Sequence, residues 1–152
     1  MKIFVWGVII VVVAAVVAGF FIVGSPQTER MRKIDDQRVS DLQNIQWQIV
    51  NFWQSKKRFP KDLNELKDDI SGWLAPVDPE TKRPYEYFPG EGFSFTLCAD
   101  FTLESDEAQT EILRYPVSAE ENWAHPAGRH CFERVLDPER YPPFEKPVPA
   151  IR

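Results

Sequence analysis

The chain has 152 residues, of which 43% are hydrophobic and 13% aromatic, and its formal net charge at pH 7 is -5. With a pI near 5.1 it offers no basic footprint for nucleic acid, which excludes that partner class. No internal repeat is visible, and the length beyond the first two dozen residues suits one modest domain with its own core.

The run from Ile3 to Val23 is uncharged and almost wholly apolar. As a helix it is about 31 Å long, which matches the ~30 Å hydrocarbon core of a bilayer. A cleaved secretory signal is the rival reading, because Ala14, Ala15, Ala18, Gly19 and Gly24 are small and Lys2 gives a minimal basic start. The run is longer than a signal h-region, however, and bulky Phe20, Phe21, Ile22 and Val23 stand where a cleavage site needs small side chains. The sequence therefore predicts a retained single-pass anchor over residues 1–24, with Ala14, Ala15, Ala18 and Gly19 available for close helix packing. No cysteine is present there to be acylated.

Pro26 can open a second helix at its first turn. From Gln27 to Lys57, the positions Val39, Leu42, Ile45, Ile49, Val50, Phe52 and Trp53 fall within an arc of roughly 160°, as an amphipathic helix requires. Asp35 and Asp36 near the amino end and Lys56, Lys57 and Arg58 at the carboxyl end complement the helix dipole. Trp47 lies off this stripe, so it either packs under a loop or stands exposed as a contact residue.

Phe59-Pro60 ends the helical pattern, and Leu63, Leu66 and Ile70 predict a short second helix starting near Lys61 or Asp62 and ending at Gly72. Asp78-Pro79 and Arg83-Pro84 frame a turn before Tyr85 and Tyr87, which share one face of a strand. From Phe93 to Leu103 apolar and polar residues alternate strictly, so Phe93, Phe95, Leu97, Ala99, Phe101 and Leu103 form a core face and Cys98 lies on the other. Gly90 and Gly92 join these two strands as a hairpin. Glu104 to Glu111 reads as an acidic solvated loop, and Ile112 to Val117 and His130 to Leu136 as further strands. The Pro-rich tail, 137–152, should be extended and pinned by Tyr141 and Phe144.

This order of elements resembles the pilin-like proteins, in particular the major pseudopilins of type II secretion. The resemblance is carried by RVSDLQNIQWQIVNFWQSKKRFPKDLNELKDD followed by DPETKRPYEY, with Phe59-Pro60 closing the long helix and Asp78-Pro79 preceding Pro84-Tyr85-Glu86-Tyr87; it covers roughly Arg38 to Leu103. It implies an α+β fold in which a long amphipathic helix packs on a small antiparallel sheet, residues 25–136, placed outside the cytoplasm. The prepilin cleavage pattern is missing: Gly19-Phe20 stands near the end of the apolar run, the fifth residue from Phe20 is Gly24, and no acidic residue precedes Glu29. The implied protein is thus pilin-like with an ordinary anchor, and the calcium loop of major pseudopilins does not carry over.

Arg30, Arg32, Lys33 and Arg38 outnumber Lys2 across the apolar run, which taken alone favours a cytoplasmic domain. The resemblance and the paired cysteines favour the outside. In an exported domain Cys98 and Cys131 read as a disulfide worth about 3.8 kcal/mol of loop entropy. Free thiols and a zinc site with His125 and His130 are the rivals, the latter awkward because His130 and Cys131 point to opposite sides of a strand.

No nucleophile elbow, zinc-protease helix or phosphate loop occurs, so neither catalysis nor a cofactor or metal is expected. The expected role is structural or interactive, in a cell-envelope or secretion and pilus-type assembly, with the membrane, other envelope proteins or a second copy as partners. An extracytoplasmic glycan- or peptide-binding module is the alternative, with Trp47, Trp73, Tyr85, Tyr87 and Trp123 as a candidate aromatic surface.

Overall fold

Helix α1 (Lys2–Val23) forms over the uncharged run, and helix α2 (Pro26–Lys56) over the amphipathic one. A computed structural model describes residues 2–23, 26–68, 70–105 and 122–144 of the chain. Two compact units are present, Met1–Lys33 and Ile34–Arg152.

In the first unit, side chains of α1 are described for residues 4–17 and for Gly19, and Phe4 and Trp6 are 78% and 66% exposed. Among the described residues no helix is long and apolar enough to cross a membrane. The transmembrane reading of Ile3 to Val23 therefore continues to rest on the sequence. Ala14 and Ala15 are exposed, Gly19 is half-buried, and the side chain of Ala18 lies outside the described residues.

In the second unit, the apolar stripe of α2 does what its spacing predicts. Leu42, Ile45 and Ile49 are fully buried and share one core with Phe95, Leu97, Ala99, Phe101 and Phe132. Each such aliphatic side chain contributes about 1.5 to 3 kcal/mol on leaving water. The helix ends where Lys57 turns to φ 58° and donates its N–H to the Trp53 carbonyl at 2.7 Å, a left-handed cap usually given to glycine.

Beyond it, among the described residues, only Leu63–Leu66 is helical, as a single 3-10 turn capped by the Asp62 carboxylate on the N–H groups of Asn64 and Glu65. The predicted helix was to reach Ile70, but that side chain is 99% exposed. Asp68 competes for the chain there: its carboxylate accepts the N–H groups of Ile70 and Ser71, and it bridges back to Trp73. Gly72 serves that turn at φ +72° rather than a helix end.

Three strands form an antiparallel sheet in the order β1 (Glu86–Pro89), β2 (Ser94–Phe101), β3 (Gly128–Val135). The predicted hairpin pairs Glu86 with Cys98 and Pro89 with Phe95. Its turn needs both glycines: Gly92 has φ +65°, and a Cβ at Gly90 would lie 3.0 Å from the Ser94 carbonyl oxygen. β2 is shorter than the alternating run, because Phe93 leaves the core face and stands 46% exposed with its ring 5.9 Å from Trp53. Leu103 also falls outside the strand. The α+β arrangement, a long helix over a small antiparallel sheet, agrees with the sequence expectation. The predicted strand Ile112 to Val117, most of the acidic loop and the tail beyond Phe144 lie outside the described residues.

Residues 137–144 pack along α2. The Tyr141 ring meets Trp47 edge-on at 6.1 Å, the Phe144 N–H donates to the Gln54 carbonyl at 3.0 Å, and Gln54 Nε2 donates to the Pro142 carbonyl at 2.9 Å. Tyr141 pins the tail through its ring as expected. Phe144 does so through its backbone, its side chain being 58% exposed.

Candidate functional site

Asp35 and Arg38 occupy the same helical face as Leu42, Ile45 and Ile49, one turn earlier, so the geometry that buries the leucine buries the charges too. Arg38 is 2% exposed. Its guanidinium donates to Asp78 at 2.6 Å, to Asp35 at 2.7 Å, and to Thr102 and Glu80 at 3.0 Å each. The Asp35 carboxylate in turn accepts the N–H of Thr102 at 3.0 Å and of Leu103 at 2.8 Å. This hub ties α2 to the Asp78 turn and to the end of β2. Among the described residues no buried side-chain N or O lacks a partner.

Burial opposes ionisation of Asp78, but Arg38 and the N–H groups of Thr81 and Glu80 outweigh it and hold the carboxyl down from 3.8 to about 2. Burial likewise disfavours charged Arg38, yet its hydrogen bonds to Asp78, Asp35 and Glu80 raise its pKa further. A carboxyl depressed in the folded state gives stabilisation that is complete above about pH 4 and disappears as pH falls toward 2. The expected size at neutral pH is ~2 kcal/mol. Acid unfolding of Asp78→Asn should therefore show a shallower fall in stability between pH 4 and pH 2 than the parent chain. An unchanged slope would contradict this assignment.

On the sheet, Cys98 and Cys131 stand directly opposite each other in the β2–β3 register, with Cα atoms 4.1 Å apart, and are joined as a disulfide. The sulfurs are thus committed to each other rather than to a metal. Among the described residues no group of three or more His, Cys, Asp or Glu is arranged to hold an ion. His125 is buried, stacked on Phe101 at 3.6 Å, with Nδ1 3.2 Å from the Pro126 carbonyl oxygen. Burial lowers its pKa.

The five aromatic residues of the expected surface separate into two groups. Tyr85 is a core residue, 6% exposed, whose hydroxyl donates to Asp41 at 2.8 Å. Tyr87 is half-buried and donates to the Pro60 carbonyl at 3.0 Å. Burial raises the pKa of both, that of Tyr87 to about 12. Satisfying each hydroxyl holds its ring toward the core, fully for Tyr85 and in part for Tyr87. Trp73 packs half-buried against the core, its Nε1 donating to Asn44 at 3.2 Å.

Trp47 and Trp123 instead line one groove of about 610 Å³ between α2, β3 and residues 137–144. Trp47 is 58% exposed. Trp123 packs on Phe132 at 4.8 Å and carries the Arg134 guanidinium 4.1 Å over its ring. Arg134, 4% exposed, donates to the Gln46 side chain at 3.0 Å and to the Asn122 carbonyl at 2.8 Å. Sequence reasoning missed Arg134, although Phe132, Arg134 and Leu136 repeat at every second position and so share the inner face of β3.

No family model matches this chain, and no curated protein or solved structure matches it either.

Proposed function

We propose that the protein is a non-catalytic, single-pass membrane protein of the pilin-like type, a structural or interaction component of a cell-envelope or secretion and pilus-type assembly. The observation that carries this reading is α1 itself. It is an uncharged apolar helix from Ile3 onward whose described side chains, Phe4, Trp6, Ile10 and Val11 among them, are largely exposed. Water-soluble proteins rarely leave such a continuous apolar surface uncovered, and lipid is the solvent that suits it. By its sequence, the uncharged run Ile3 to Val23 would span about 31 Å as a helix, which matches the hydrocarbon core. The disulfide supports an extracytoplasmic location for the domain, since such bonds persist in oxidising compartments. The packing of α2 on a small antiparallel sheet is consistent with the pilin-like resemblance.

In cell fractionation, the full chain should stay with carbonate-washed membranes, whereas a chain starting at Gln27 should be released. Recovery of the intact full chain in the soluble fraction would end this reading. Partnership through α1 has its own test. A side chain at Gly19 meets nothing within 4 Å in the chain, so Gly19→Leu should leave the fold unchanged while weakening detergent-resistant association severalfold in cross-linking. Equal association in the variant would remove α1 packing from the proposal.

A further inference from the structure

The groove beside Trp47 sets an exposed indole against a row of uncharged polar side chains. Ser40, Gln43, Asn44 and Trp47 follow one another at helical spacing along one exposed face of α2, so hydroxyl, amide and indole groups line the same wall. The rest of the described lining is Val50, Val135 and Leu136 with the rings of Phe95, Trp123 and Tyr141, and its two cations, Arg134 and Arg140, lie over the Trp123 and Tyr141 rings. No carboxylate is among the described lining residues.

Two of the amides are also oriented. Trp73 Nε1 and Arg134 Nε can only donate, so the atoms that meet them at 3.2 Å and 3.0 Å must be the side-chain oxygens of Asn44 and Gln46. The NH2 group of each amide is thereby fixed on the opposite side as a donor, without further rotamer ordering. The Trp47 ring is similarly held by the perpendicular Tyr141 ring at 6.1 Å while keeping 58% of its surface open.

We propose that this groove binds a neutral sugar chain, with Trp47 stacking against the C–H face of one ring and the α2 side chains Ser40, Gln43 and Asn44 bonding its hydroxyls. Hydroxyls both donate and accept, which matches uncharged amide and hydroxyl side chains better than charged ones. The groove volume lies within the range of small-ligand sites. The inference does not depend on membrane anchoring, because every residue it uses lies in the Ile34–Arg152 unit.

The test uses the full chain in phosphatidylcholine nanodiscs, which carry no sugar headgroups, titrated calorimetrically with maltohexaose, cellohexaose and chitohexaose. At least one should bind saturably, Trp47→Ala should weaken that binding about tenfold, and Gln43→Ala should weaken it less. Both side chains are exposed, so far-ultraviolet circular dichroism and the urea midpoints of the variants should match the parent. The proposal is overturned if none of the three sugars binds at millimolar concentration, or if Trp47→Ala binds as the parent does. It is equally overturned if PPFEKPVP, the sequence of residues 142–149 of this chain, binds as a free peptide in a Trp47-dependent way while the sugars do not.

Discussion

Replacing Arg38 with methionine is expected to destabilise the domain by about 3 to 5 kcal/mol, a large share of an ordinary domain's stability. Methionine fills much of the arginine volume, so the loss is chiefly electrostatic. It strands the carboxylates of Asp35 and Asp78, 4% and 7% exposed, without the cation that compensates them. Two further variants separate this cause from simple packing. Arg38→Lys keeps the charge but cannot reach Asp78, Asp35, Thr102 and Glu80 together, so it should fall between parent and methionine. Combining Arg38→Met with Asp78→Leu should recover part of the loss, since a removed buried pair is far less costly than a broken one. Urea midpoints for the four chains measure this directly. A midpoint for Arg38→Met within experimental error of the parent would show that the hub is not holding α2 to the sheet.

The second large effect belongs to the disulfide. Cys98 and Cys131 close a loop of sequence separation 33, and opening it should cost about 3 to 4 kcal/mol by releasing the unfolded chain. Cys98 is 1% exposed, so alanine is the better replacement; serine would add a buried hydroxyl to satisfy. Reductant should lower the unfolding midpoint of the parent to that of the Cys98→Ala, Cys131→Ala chain and leave the double variant unchanged. A parent midpoint indifferent to full reduction would mean that β2 and β3 hold their register without the bridge. The pair sits in the middle of a register running from Ser94 with Val135 to Phe101 with Gly128.

What could be read in the sequence was whatever periodicity, turn residues and cysteine count control. The stripe of α2 and the alternation of β2 follow from 3.6-residue and two-residue repeats. The hairpin follows from the turn glycines Gly90 and Gly92, and the Cys98–Cys131 pairing from an even cysteine count expected in an exported domain. Charged residues on those same repeats were harder to read, because a charge on a helix is ordinarily assigned to solvent or to the dipole. Asp35 and Arg38 are instead continuations of the buried face, and Arg134 continues the inner face of β3. The informative signal was the position of the charge on the apolar period, and its partners came from Asp78 and Thr102, far along the chain. Ile70 failed for the opposite reason: its spacing fitted a helix, but the Asp68 carboxylate captured the backbone first. The groove depended on Trp47, Trp123 and Tyr141 meeting across long sequence separations, which no local pattern contains.

The proposed role requires that α1 hold a disulfide-closed domain outside the cytoplasm. Ser55 is exposed near the end of α2, and Cys98 and Cys131 are bonded to each other, so Ser55→Cys supplies one reactive thiol. Treating intact cells with a membrane-impermeant maleimide should label this variant fully, with no increase after the cells are permeabilised. Labelling that appears only after permeabilisation would place the domain on the cytoplasmic side and contradict the account.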